Sequence, residues 1–261
     1  VTTEHTRKSI ADNLPDGFEL VFAEASTEEK AIEAVKDADY ILVGAAYVPT
    51  KVVEAATKAK LIQKIGEGTD RIDVITATAR GIQVAKTSGT NSNAVAEYTT
   101  LLMLATLRWL PKAHNSVLAG QWLKDEMKKD TYELRNRQVG IVGLGKIGKL
   151  VAKQVQGFGA TTVYYDVFRQ AEDEEIRLNI RFMPLDELLR TSDVVTLHVP
   201  GTPSTKGMIG ERELSLMKPT AILINTCRGI VVDEEALYRA LKERRIRGAG
   251  IDVFTKEPPD R

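Results

Sequence analysis

Short apolar runs alternate with amphipathic stretches along most of the chain. Residues 1–17 are polar and turn-rich, and Leu14-Pro15-Asp16-Gly17 carries the signature of a loop. Beyond it the pattern predicts a strand over 18–23, a helix over 28–36, a strand over 40–43, a helix over 50–57 and a strand over 61–65. Six small or polar residues, Ser88-Gly89-Thr90-Asn91-Ser92-Asn93, then precede a long apolar helix over 94–110, with Ser92 or Asn93 as its N-cap. Trp109, Leu110 and Trp122 lie at or beyond its end and suit either an arm on a partner subunit or a core. Later come strands over 139–142, 161–165, 194–198, 221–225 and 249–253, with helices over 185–190, 211–217 and 234–244 between them. Strands alternating with helices imply parallel sheets covered on both faces, an α/β architecture. The charged run Glu172-Asp173-Glu174-Glu175 reads as a solvated face. The cluster Lys242, Arg244, Arg245, Arg247 reads as a complement to the dipole of the helix before it.

The run 139–142 ends in Gly143-Leu144-Gly145-Lys146-Ile147-Gly148, and Ile147, Val151 and Val155 recur on one helix face straight after it. A strand, a glycine turn and a helix form the context in which G-x-G-x-x-G acquires meaning. Gly143 makes the tight turn, Gly145 admits a pyrophosphate to the backbone, and Gly148 lets helix and strand pack closely; the helix N-terminus then faces the phosphates. Asp166 ends the next strand, where a carboxylate accepts from a ribose 2′-hydroxyl and repels a 2′-phosphate. This favours NAD over NADP, although Arg169 stands close by and a guanidinium can accept that phosphate.

Bulk composition adds limits. The chain has 261 residues, 43% hydrophobic and 28% charged, enough for two ordinary domains with full cores. Lys plus Arg equals Asp plus Glu at 36 each, so no general electrostatic pull toward nucleic acid or an anionic membrane is expected. The most apolar stretch carries Glu97 and Arg108 and is too short to span a bilayer. One cysteine rules out an internal disulfide and fits a reducing, cytoplasmic setting. No metal site is expected.

Three further places carry candidate chemistry. Gly66-Glu67-Gly68-Thr69-Asp70 follows a strand, where glycines let backbone N–H groups face a carboxylate or simply make a tight turn. Arg228, just past the strand at 221–225, suits bidentate recognition of an anionic substrate, or a surface ion pair. Asp252 and Glu257 lie at a neighbouring strand end, where Glu257 is placed to orient a histidine base. Of the three histidines, His5 lies in the polar tail, His114 is remote in sequence from Arg228, and His198 reads as a packing or hydrogen-bonding residue beside the cofactor. Cys227 has no evident base to make it a nucleophile.

Together these segments resemble the D-isomer-specific 2-hydroxyacid dehydrogenase family over nearly the whole chain. The resemblance rests on 142–148 through Asp166, on Leu197-His198-Val199-Pro200 with Thr205, on Leu216-Met217-Lys218, on Ile224-Asn225-Thr226-Cys227-Arg228-Gly229, and on Asp252-Val253-Phe254 with Glu257-Pro258. Residues 66–70 resemble its substrate loop and 95–97 the start of its interdomain helix. The resemblance implies two doubly wound parallel-sheet domains, a Rossmann NAD domain inserted into a flavodoxin-like substrate domain. Residues 1–90 would form the first part of the substrate domain, 91–252 the NAD domain, and 253–261 the start of the return. It implies hydride transfer between NAD(H) and a small D-2-hydroxy or 2-keto acid, with homodimers built through the NAD domain. Arg228 and Glu257 would be catalytic, with Gly66, Glu67, Gly68 and Arg228 on the substrate. Gly143, Gly145, Lys146, Ile147, Gly148, Asp166, His198, Pro200, Thr226, Cys227 and Asp252 would lie on the cofactor. Two departures stand out. The family's catalytic histidine is expected some way past Arg261, along with the returning helix, and the first strand is expected before Val1. Glu67 also sets a negative charge where a small or apolar residue is expected. A catalytically silent NAD-binding regulatory module of the same fold is the alternative.

Overall fold

The computed structural model describes residues 4–23 and 27–259. The chain divides into two compact units, Val1–Thr90 and Asn91–Arg261.

The first unit contains α1 (Glu4–Asp12), α2 (Glu28–Val35), β1 (Tyr40–Val43), α3 (Thr50–Ala55), β2 (Leu61–Lys64), α4 (Val74–Ala79) and β3 (Gln83–Lys86). Its sheet runs β1-β2-β3, all parallel, with Tyr40 opposite Leu61 and Leu61 opposite Gln83. The core gathers Val35, Val43, Val52, Val53, Ile62 and Ile72. Asp73 caps α4, accepting from the Thr76 amide and from the hydroxyls of Thr50 and Thr76.

Two expectations fail here. The polar start folds into α1. The strand expected over 18–23 forms no ladder among its described residues. Phe18, Leu20 and Phe22 alternate with Glu19, Val21 and Ala23 as a strand would, yet no neighbouring strand pairs with them among the described residues. Phe18, Val21 and Phe22 are exposed, and Phe18 meets the sheet through its ring, 5.6 Å from that of Tyr40. Helix α4 and strand β3 were not anticipated.

The second unit contains α5 (Ser92–Leu107), α6 (Leu110–Leu118), α7 (Lys124–Lys128), β4 (Gln138–Val142), α8 (Lys146–Gly157), β5 (Thr161–Tyr165), α9 (Glu172–Leu178) and β6 (Arg181–Phe182). There follow α10 (Leu185–Thr191), β7 (Val194–Leu197), α11 (Glu211–Leu216), β8 (Ile222–Asn225), α12 (Glu234–Lys242) and β9 (Gly248–Ile251). The sheet order is β6-β5-β4-β7-β8-β9, parallel throughout. Val139 and Ile141 of β4 pack with Met103 of α5 and Val151 and Val155 of α8. Val142 faces the opposite layer, with Leu188 of α10, Leu214 of α11 and Leu237 of α12. Both faces are covered, which is why the central strands read as unbroken apolar runs.

The long apolar helix stops earlier than expected. Trp109 takes a left-handed backbone (φ 52°), and Leu110-Pro111 opens α6. The Trp109 ring begins a stack of alternating cations and aromatics: Lys112 and Arg247 lie over Trp109, Arg247 also over Tyr132, and Arg137 over Tyr132, at 4.5–5.0 Å. Arg247 also pairs with Asp130, and Arg245 with Glu211. Arg245 and Arg247 of the basic cluster therefore tie elements together beyond the end of α12, which closes with Lys242. Among the described residues, no helix is long and apolar enough to cross a membrane.

Candidate active site

The strand order of the second unit reverses at β4, whose neighbours are β5 and β7. The loops leaving β4 and β7 therefore part to opposite faces and leave a crevice at the carboxyl edge of the sheet. Gly143 lies at its floor with φ +95°, and a Cβ there would come within 2.6 Å of the His198 carbonyl oxygen on the β7 side. Gly148 abuts the Gly143 carbonyl so closely that helix α8 is set directly on the turn. Gly145 differs: a Cβ there would meet nothing within 4 Å, so the space it leaves is open. A bare backbone facing open space at the N-terminus of a 12-residue helix without a side-chain cap suits a pyrophosphate. The glycine turn thus fits the phosphates of a dinucleotide.

Asp166, one residue past β5, accepts from the Leu144 amide at 2.8 Å and from the Phe168 amide at 3.2 Å. One oxygen holds the glycine turn and the other closes its own turn, and each keeps a second lone pair for a ribose hydroxyl.

His198 accepts no role as a base at neutral pH. Burial drives its pKa down to about 3, and its Nε2 lies 3.0 Å from the Thr196 hydroxyl. Pro200 is exposed next to it, its carbonyl accepting from Thr205 at 2.6 Å.

At the end of β8, Asn225 organises the next turn. Its Oδ1 accepts from the Cys227 amide at 3.1 Å and its Nδ2 donates to the Arg228 carbonyl at 3.0 Å. The turn that presents Arg228 is thereby held from inside the protein, because Asn225 is buried. Arg228 is half-buried, its stem over Gly201, where a Cβ would come within 3.0 Å of it. Its guanidinium also donates to the Cys227 carbonyl at 2.6 Å. Thr226 is buried, its hydroxyl bonded to that of Thr99 of α5 at 2.8 Å. Cys227 is held by Asn225, and burial pushes its thiol up, so it is a poor nucleophile.

The segment after β9 crosses this turn directly: Gly229 lies against the Phe254 carbonyl with no room for a side chain. Asp252 is exposed at the strand end, its amide on the Asn225 carbonyl at 3.0 Å. Glu257 is exposed and accepts from the Phe254 amide at 3.2 Å.

In the first unit, Gly66 follows β2 with φ +119°. Its amide donates to the Thr87 hydroxyl at 2.7 Å, so that N–H is already engaged. Glu67 turns back toward the end of β3, pairing with Lys86 at 2.6 Å and accepting from the Gly89 amide at 2.8 Å. Its charge is thus met within its own unit.

Sequence reasoning passed over Gly201 and gave Asn225 and Gly229, both within the run 224–229, no part in shaping the Arg228 turn. An asparagine at a strand end followed by a glycine was the available signal. It also misread the acidic run: Glu175 is buried, accepting from the Tyr164 hydroxyl at 2.7 Å and pairing with Arg169.

Residues 100–261 match the family described as D-isomer specific 2-hydroxyacid dehydrogenase, NAD binding domain. The glyoxylate reductase of Korarchaeum cryptofilum is 44% identical across 99% of the chain and 79% of its own length. The D-3-phosphoglycerate dehydrogenase of Methanocaldococcus jannaschii is 41% identical across 99% of the chain, which spans about half (49%) of that protein. Among solved structures, the D-lactate dehydrogenase of Aquifex aeolicus, complexed with NAD and lactic acid, superposes with a TM-score of 0.81 at 35% identity, over 87% of this chain and 67% of that one. With its glycine turn, acid and arginine ranged along one sheet edge, the chain belongs to the D-isomer-specific 2-hydroxyacid dehydrogenase family of NAD-dependent oxidoreductases.

Proposed function

We propose that this protein interconverts a small D-2-hydroxy acid and its 2-keto acid, with Arg228 as the group that recognises the substrate. The observation that carries this reading is the position of Arg228: half-buried, on a turn held by Asn225, at the same sheet edge as the glycine turn. A guanidinium there binds a carboxylate through two N–H donors and stays charged at every working pH. Its remaining donors polarise the 2-keto oxygen and stabilise the charge that grows on it during reduction. NAD(H), when bound, accepts or supplies the hydride. Gly143, Gly145 and Gly148 admit its phosphates, Lys146 and Ile147 open the helix above them, and Asp166 takes the ribose hydroxyls. His198, Pro200, Thr226, Cys227 and Asp252 line the crevice at the nicotinamide side.

Glu257 takes the role of the acid that orients a histidine base, its exposed carboxylate positioned by the Phe254 amide. Within the first unit, Gly66 shapes the loop after β2 through its positive φ, and Glu67 holds that loop to β3. The second unit also presents Tyr98, Leu101, Leu110, Val117, Leu118 and Trp122 to solvent, a surface suited to a homodimer. The single cysteine suits a cytoplasmic setting.

The test is NADH oxidation by the purified protein with glyoxylate, hydroxypyruvate and pyruvate. Arg228→Ala is expected to lower kcat/KM by at least about a hundredfold while NADH binding persists. Full turnover in that variant refutes the reading, as does tight NADH binding with no turnover of any 2-keto acid by the unaltered protein.

A further inference from the structure

Resting on the dinucleotide reading of the crevice, we infer that Glu175 is a positioning residue for cofactor selectivity: it withdraws Arg169 from the ribose pocket and so denies a 2′-phosphate its only nearby guanidinium on that turn. Arg169 follows Asp166 within one turn, closed by the Phe168 amide on the Asp166 carboxylate. A guanidinium so placed is the group that would hold a 2′-phosphate. It is engaged by Glu175 instead. Its Nε and Nη2 meet the two Glu175 oxygens at 2.9 and 3.0 Å, a fork-to-fork pair, while the guanidinium lies over the Phe182 ring at 5.4 Å.

Glu175 is anchored from beneath. It is 8% exposed, and the hydroxyl of the fully buried Tyr164 donates to its Oε1 at 2.7 Å while accepting from the Gln170 amide at 2.8 Å. Glu175 is the buried partner of the pair and Arg169 the exposed one, so the carboxylate is fixed in place and the guanidinium is held by its two-pronged contact with it. The Arg169 hydrogen bond holds the Glu175 carboxyl below the usual range, and Arg169 itself is raised by the same bond. Two devices thus act against a 2′-phosphate: Asp166 repels it, and Glu175 removes the cation that would welcome it.

A glutamine at 175 offers one acceptor oxygen and an NH2 group, so it keeps the Tyr164 bond but cannot match the guanidinium fork. The probes are 5′-ADP and adenosine 2′,5′-bisphosphate, titrated by calorimetry, with thermal melts recorded for every variant. In an Asp166→Ala background, adding Glu175→Gln is expected to tighten the bisphosphate by about tenfold, with 5′-ADP affinity unchanged. Adding Arg169→Ala to that double variant should abolish the gain. A companion variant leaves Glu175 intact: Arg169→Ala in the Asp166→Ala background should change bisphosphate affinity by less than about twofold, since the clamped guanidinium contributes nothing. A large loss there, or no gain from Glu175→Gln in a protein that still binds 5′-ADP, overturns the proposal. Failure of the unaltered protein to bind NADH or 5′-ADP overturns the dinucleotide reading, and this inference with it.

Discussion

The two glycines of the phosphate turn should fail in opposite ways when each is replaced by alanine. Gly143 carries φ +95°, and an added Cβ would approach the His198 carbonyl to 2.6 Å. The dihedral costs about 1–3 kcal/mol for a residue with a side chain, and forcing backbone apart in a packed site costs about 1–3 kcal/mol more. For a unit of this size, about 2–4 °C per kcal/mol, Gly143→Ala should lower Tm by on the order of 10 °C. Gly145 has φ −76°, open to any residue, and no atom within 4 Å of the added carbon. Losing glycine at an N-cap costs a few tenths to about 1 kcal/mol, and the stiffer unfolded chain returns about the same. Gly145→Ala should therefore melt within about 2 °C of the unaltered protein. Its methyl occupies the space a pyrophosphate needs, so NADH affinity should fall about ten- to a hundredfold. The assay is a thermal melt beside a fluorescence titration with NADH. Unchanged NADH affinity in Gly145→Ala would refute the placement of the phosphates on this turn, and an unchanged Tm in Gly143→Ala would refute the steric reasoning at that position.

Other consequences are open to measurement. Asp73, capping α4 under bonds from the Thr50 hydroxyl and then Thr76, has its pKa lowered to about 2, so its stabilisation is present above about pH 4 and lost as pH falls toward 2. Asp73→Asn keeps a capping oxygen, and its Tm should fall less steeply with pH in that window; an identical slope would contradict the assignment. His198, buried to a pKa of about 3, should show no ring titration by NMR between about pH 5 and 8. Because the unfolded imidazole binds its proton near pH 6.5, His198 lowers stability progressively as pH drops from there toward 3. Arg247→Ala empties the space between Trp109 and Tyr132 and should cost about 2–4 kcal/mol; lysine should recover only part, lacking a flat face for both rings.

The phosphate turn was legible because its chemistry is local. Glycines at 143, 145 and 148 between an apolar run and an amphipathic helix leave few other readings, and both layers around β4 follow from its unbroken apolar run. What escaped depends on distant partners. Four consecutive acids at 172–175 look alike in sequence, yet Glu175 is buried because Tyr164, on the neighbouring strand, supplies a hydroxyl beneath it. The charge of Glu67 looked adverse until Lys86 and the Gly89 amide appeared beside it. Residues 18–23 have both the composition and the alternation of a strand; what they lack among the described residues is a strand to pair with, which local pattern does not report.

The parallel sheet of the second unit also sets how it can assemble. With no hairpin, every ladder must close a long loop before any pairing is rewarded. Gln138 finds Thr161 across a single helix, whereas Val139 finds Val194 only about 55 residues away, beyond two further strands. Loop entropy grows slowly, about 0.6 kcal/mol per doubling, but it is owed before the long-range contacts form. The shortest closure around β4 is the one that contains the glycine turn, so the phosphate cradle belongs to the segment able to organise earliest. The Arg228 turn must wait for β8 to dock on β7. Within the second unit, the cradle for the phosphates can therefore close before the turn that carries Arg228.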